Sequence, residues 1–181
     1  MKTAKTSETL YGNERNMRRI PATLSNGEEI KFLSDIHNEL VKKIINDLCP
    51  LYTPAGRVLC VGGNKGNLLY FDSDALKTLG VEISNYGKIP DVVVHHVEKD
   101  WLVLIEAVTS HGPVNPKRRQ ELKELFTGSK IGLVFVTAFL DRRAMVKYLN
   151  DISWETEAWF AESPTHLIHF NGERFLGPYE D

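Results

Sequence analysis

Cysteine is scarce: Cys49 and Cys60 are the only two in a chain of 181 residues. One sits in an expected helix and one in an apolar run, so a reduced, cytoplasmic protein is expected rather than a disulfide scaffold. Long apolar runs are missing too. The opening MKTAKTSETL has no apolar core of a signal peptide, and no stretch approaches the ~20 apolar residues of a membrane span. Net charge is only −2, which decides nothing about nucleic acid, because binding follows where cations lie rather than their sum. Repeats and low-complexity runs are absent. No GxSxG elbow occurs, and the neighbours Ser110 and His111 cannot alone form a nucleophile–base couple. Gly62-Gly63-Asn64-Lys65-Gly66-Asn67 lacks the Gly-Lys-Ser/Thr of a phosphate loop and reads as a flexible turn.

With 42% hydrophobic and 25% charged residues, the chain can build one globular domain with a real core. Its most informative stretch is Lys88 to Pro113, KIPDVVVHHVEKDWLVLIEAVTSHGP. Val92–Val94 with Val97, and Leu102–Ile105, read as two strands of a hairpin around the polar Glu98-Lys99-Asp100. Facing residues of an antiparallel pair share a constant index sum. A register that sets His96 against Trp101 therefore sets Asp91 against Glu106, on one face and with Cβ atoms roughly 5 Å apart. Two buried like charges are costly unless a cation or a proton compensates them. Oxygen ligands of this kind suit Mg²⁺, which takes one or two carboxylates and keeps waters or phosphate oxygens. The plainer alternative is a pair of exposed or arginine-paired acids.

Around this hairpin the chain parses in order. Residues 1–20 carry Lys2, Lys5, Arg15, Arg18 and Arg19 and read as a basic arm, either an untidy terminus or a contact to a DNA backbone. Residues 24–32 form a short strand pair around Asn26-Gly27. Ser34 or Asp35 caps a helix with an apolar stripe of Ile36, Leu40, Ile44, Ile45 and Leu48, ended by Pro50 and Pro54. His37 falls on that stripe and reads as a core histidine, whereas Glu39 falls off it. Residues 57–61 and 68–71 are strands, and 74–79 a short helix closed by Gly80. Asn115-Pro116 opens a helix that places Lys117, Arg118 and Arg119 in its first turn. Those cations oppose the helix dipole, so they mark either a phosphate contact or a solvated face. The uniformly apolar run 131–140 reads as a central strand covered on both faces. Arg142 and Arg143 lie on the helix after it, and strands at 156–161 and 166–170 close the chain. His166 and His169 are spaced for a metal only on a helix, and they fall in a strand. The class is α/β.

Pro90-Asp91, fourteen residues, then Glu106 resembles the PD-(D/E)xK nuclease signature. The longer strings GKIPDVV, WLVLIEAVTSHGP, DISWETEAW and HFNGERFLGPY resemble the BsuBI/PstI type II restriction endonuclease family, from about Ile20 to Tyr179. The resemblance implies a restriction-endonuclease-like core, a mixed central sheet flanked by helices, over residues 21–181. It implies a Mg²⁺-dependent enzyme that hydrolyses phosphodiester bonds of double-stranded DNA at a short palindrome, working as a homodimer. The rivals are a catalytically degenerate DNA-binding module of that fold and a structure-selective nuclease. Asp91 and Glu106 would be the metal ligands, and Glu39 an auxiliary acid. The family's lysine two residues after the second acid is here Val108. The cation is therefore expected from Lys117 or Lys65, with His111 able to contribute. Lys65, Arg118, Arg119, Arg142 and Arg143 are the expected DNA contacts. Such enzymes also carry a helical N-terminal domain, so this chain is expected to be a catalytic domain whose base reading is completed by a separate recognition polypeptide.

Overall fold

Strand alternation organises the core from the first described residues. The computed structural model describes residues 18–63 and 67–171. Strand β1 (Arg19–Thr23) pairs antiparallel with β2 (Glu29–Leu33). Every second side chain of the pair, Ile20, Ala22, Ile30 and Phe32, is buried. Asn26-Gly27 makes the turn, with Gly27 at φ 84°. The pair begins earlier than the pattern suggests: Leu24 belongs to the turn, and Arg19 and Ile20 belong to β1 rather than to an arm.

Asp35 caps helix α1 (Ile36–Lys43), accepting the Asn38 N–H at 2.9 Å. The helix continues through a π-helical turn, Ile44–Leu48, into α2 (Cys49–Tyr52). Pro50 was expected to end it. Instead the wider π turn resets the hydrogen-bond frame, so Pro50 falls in the first turn of α2, where its missing N–H costs nothing. Leu40, Ile44, Ile45 and Leu48 are buried as the stripe requires, but Ile36 is 63% exposed.

The main sheet has seven strands in the order β4-β3-β5-β6-β7-β8-β9. These are β3 (Arg57–Gly62), β4 (Leu68–Phe71), β5 (Val92–His96), β6 (Trp101–Val108), β7 (Gly132–Phe139), β8 (Thr156–Phe160) and β9 (Leu167–Phe170). β6, β7 and β8 run parallel to one another and all other neighbours antiparallel, so the sheet is mixed. Helices α3 (Ser73–Thr78), α4 (Pro116–Leu125) and α5 (Arg142–Val146) occupy connections between strands.

Alternation along β5 and β6 sorts side chains between two layers. Val92, Val94, Val103 and Ile105 pack toward α1 and the small hairpin. Val93, Leu102 and Leu104 pack with Leu122 and Phe126 at α4. Each fully buried aliphatic side chain contributes about 1.5–3 kcal/mol, so this register is strongly held against a one-residue slip. Glu106 is an even-numbered residue of β6 and so lies on the α4 face. Val108 shares that parity but enters a third apolar cluster with Phe139, Met145, Ile152 and Phe160.

Candidate active site

The β5–β6 ladder has the expected register, with His96 facing Trp101 and Val92 facing Ile105. Four residues connect the strands, and Asp100 absorbs the reversal at φ 52°. One step beyond Val92 and Ile105 come Asp91 and Glu106, and both line a cleft of about 710 Å³.

Asp91 is held at both carboxylate oxygens. Oδ2 accepts the Ala107 N–H at 2.7 Å. Oδ1 lies 3.1 Å from His37 Nε2, which must carry the proton to bond an ionised carboxylate. The other ring nitrogen, Nδ1, stands 3.5 Å from Thr109 Oγ1. The bond to Asp91 raises the His37 pKa above its ordinary value, although burial opposes it.

Glu106 is held by one residue. Nε and Nη2 of Arg118 both donate to Oε1, at 2.7 and 2.5 Å. Nη2 also donates to the Lys88 carbonyl at 3.0 Å. Among the described residues no hydrogen bond reaches Oε2. Burial, opposed by Arg118 and reinforced by the charge of Asp91, leaves the Glu106 carboxyl raised to about 7. The fold thus concentrates two negative charges at the end of one hairpin and only partly compensates them.

That donor set fits a hard, oxygen-seeking cation. Among the described residues no group of three or more His, Cys, Asp and Glu side chains could hold a metal. Two carboxylates in an open cleft are what Mg²⁺ needs when water and phosphate complete its shell. Asp91 and Glu106 would hold it, and among the described residues Oε2 of Glu106 accepts no hydrogen bond.

The remaining sequence candidates separate. His111 lines the cleft beside Ser110, with Oγ 3.2 Å from its Nδ1. Arg118, expected to touch DNA, reaches Glu106 instead. Lys117, expected to be the cation, is exposed and does not line the cleft, because one helical residue turns it ~100° away from Arg118. Glu39 is likewise outside the cleft. On α1 it is His37, two residues earlier, that faces Asp91, so His37 is a cleft residue and not a core histidine. Hydrophobic spacing sets His37 on the core stripe, but the first turn of α1 lies outside the core, as the exposed Ile36 shows. Arg119 lies over the Phe135 ring, 5.4 Å from its centroid, and so packs against the core. Arg142 and Arg143 are exposed on α5, and Arg142 pairs with Glu162 at 3.5 Å. Parallel strands β6 and β7 end at the same sheet edge, so α5 follows from the edge that holds Glu106. Lys65 lies outside the described residues. His169 pairs with Glu157 and His166 Nδ1 contacts Thr165, so the two histidines do not converge.

A family model for the BsuBI/PstI restriction endonuclease domain matches residues 20–173. The chain is 53% identical over 170 residues to the type II restriction enzyme BsuBI of Bacillus subtilis, covering 94% of this chain and 54% of that protein. It is 29% identical over 174 residues to the type II restriction enzyme AplI of Arthrospira platensis, covering 92% and 53% respectively. The solved structure of SdaI restriction endonuclease superposes with a TM-score of 0.85 at 40% identity, over 98% of this chain and 56% of that one. The chain thus spans about half the length of the relatives it matches. With its mixed sheet, its hairpin of two acids and the EAVTSHGP segment inside the matched region, the chain belongs to the BsuBI/PstI restriction endonuclease domain family.

Proposed function

We propose that this chain cleaves double-stranded DNA, hydrolysing a phosphodiester bond with Mg²⁺ held by Asp91 and Glu106. The observation that carries the reading is the placement of those two carboxylates, one step past the β5–β6 ladder and inside one cleft. The metal, when bound, polarises the phosphate and favours an attacking water. The chain's own residues do the rest. His37 orients Asp91 through Oδ1, the Ala107 N–H fixes Oδ2, and Arg118 fixes Oε1 of Glu106. Thr109, Ser110 and His111 line the cleft at the end of β6, where a phosphate group would lie.

Two copies acting across a palindrome would cut both strands symmetrically. Arg142 and Arg143 lie on the exposed surface as phosphate contacts, which fix register without reading bases. The test is a digest of DNA of known sequence with Mg²⁺ and with chelator, followed by mapping of the ends. Discrete, metal-dependent ends support the reading. Metal-dependent binding without cutting would favour a degenerate DNA-binding module, the alternative that Val108 in place of lysine keeps in view.

A further inference from the structure

We infer that Arg118 positions Glu106 for the reaction and is the fixed cation of this site, in place of a lysine on β6. The inference rests on the nuclease reading above and adds to it a residue role carried by three observations. The first is that position 108 is closed to a lysine. Val108 is 2% exposed among Phe139, Met145, Ile152 and Phe160, so an ammonium there would be buried in apolar surroundings.

The second is the geometry of the guanidinium. Its two donors converge on one oxygen of Glu106, at 2.7 and 2.5 Å, and its Nη2 is tied also to the Lys88 carbonyl, three residues before Asp91. Arg118 therefore joins both acid-bearing segments. Its remaining partner is weaker: Nη1 lies 3.5 Å from Glu121 Oε2. Among the described residues only Oε1 accepts a hydrogen bond, so the planar guanidinium sets the carboxylate rotamer and leaves Oε2 unclaimed.

The third is how the backbone brings Arg118 there. Asn115 accepts the Arg118 N–H at 2.7 Å, which caps α4. With Val114 fully buried just before the cap, the start of the helix is pinned beside the end of β6. Neighbouring Lys117 projects outward and Arg119 lies against Phe135. Of the three consecutive cations, one enters the site.

Because Arg118 acts through Glu106, its loss should separate metal binding from chemistry. Removing a positive charge beside a metal ligand does not weaken the cation's electrostatic attraction, whereas an unanchored Glu106 no longer holds one productive orientation. The experiment compares wild type, Arg118→Gln, Arg118→Lys, Glu106→Gln and the Glu106→Gln/Arg118→Gln double variant. It measures steady-state kcat and KM for a duplex substrate with Mg²⁺, the single-turnover cleavage rate and calorimetric Ca²⁺ binding. Arg118→Gln is expected to lower kcat about 100-fold or more, to change KM less than about threefold, and to bind Ca²⁺ at least as tightly as wild type. Arg118→Lys, which keeps the charge but loses the fork, should recover part of the loss. The double variant should cut no more slowly than Glu106→Gln alone.

Arg118→Gln cutting within about threefold of wild type, or losing Ca²⁺ binding together with cleavage, would overturn the inference. The nuclease reading fails differently: wild type does not cut with Mg²⁺, or Glu106→Gln cuts as wild type does. Thermal melts of each variant establish that the folded protein is being compared. If Arg118→Gln does not fold, Arg118→Lys alone decides, with wild-type kcat counting against the role.

Discussion

His37 Nε2 and Asp91 Oδ1 stand 3.1 Å apart, joining α1 to the hairpin that carries both acids. The bond spans 54 positions of sequence and ties the helical layer on one side of the sheet to the cleft. With the Ala107 N–H on Oδ2, it leaves Asp91 a single orientation. Partners that orient a metal ligand in this way influence affinity and activity nearly as strongly as the ligand itself.

Replacing His37 by Ala should therefore weaken Mg²⁺-dependent cleavage about 10- to 100-fold, with the fold retained. His37→Gln, whose amide can still donate to Asp91, should lose less. Cleavage rates at saturating and limiting Mg²⁺ check this, and a His37→Ala enzyme indistinguishable from wild type at limiting Mg²⁺ would rule the orienting role out.

Asp91→Asn and Glu106→Gln each remove a charged ligand with little change of volume. Each should reduce cleavage by about a thousand-fold or more, the equivalent of several kcal/mol of lost transition-state stabilisation. Melting temperatures should stay within a few degrees of wild type. Full activity in either variant would remove that acid from the site.

Much of this arrangement is legible in the sequence. The hairpin register follows from where the apolar runs stop, and a constant index sum, with Val92 facing Ile105, then brings Asp91 to the level of Glu106. Asn115-Pro116 announces α4, and the apolar run 131–140 announces β7. What periodicity could not reach is which of three consecutive cations turns inward, since Lys117, Arg118 and Arg119 share one helix end and only tertiary packing selects among them. His37 was hidden for a related reason. A helix that starts by capping at Asp35 carries its first turn past the core edge, so Ile36 and His37 leave the stripe to which their spacing assigns them. Pro50 does not end the helix because a π turn, which leaves no mark in hydrophobic spacing, precedes it.

The metal-free protein should lose stability as pH rises. The Glu106 carboxyl is raised from 4.5 to about 7 in the fold, so the folded state binds more protons than the unfolded one between those values. Its contribution is fully present below pH 4.5 and is lost as pH climbs through 7. His37 is also raised, from 6.5, and acts in the same direction at higher pH. The Glu106 part amounts to up to about 3 kcal/mol. Urea melts in chelator at pH 5 and pH 8 should show the decline in wild type and a flatter profile in Glu106→Gln. A divalent cation at pH 8 should restore stability to wild type only. Identical pH slopes in the two proteins would mean that Glu106 is not the group responsible.

The last expectation concerns the vacant lysine position. Glu106 and Val108 have the same parity on β6, so a lysine at 108 would leave the strand on the side of Glu106, as the family pattern asks. Here that side closes over within two residues. Glu106 borders the cleft, while Val108 sits with Phe139, Met145, Ile152 and Phe160, and is 2% exposed. Val108→Lys must either bury an unpaired ammonium, at a cost of about 3–5 kcal/mol, or open the cluster so that its stem can reach the cleft. Packing of the two stacked rings, Phe139 and Phe160, 6.1 Å between centroids, opposes the second route. Val108→Lys should therefore be strongly destabilised, and combined with Arg118→Gln it should not restore cleavage. Denaturant melts and single-turnover rates of the single and double variants check both halves. If the double variant folds and cuts faster than Arg118→Gln alone, the apolar cluster is soft enough to admit the lysine, and burial at 108 is not what placed the site's cation on α4.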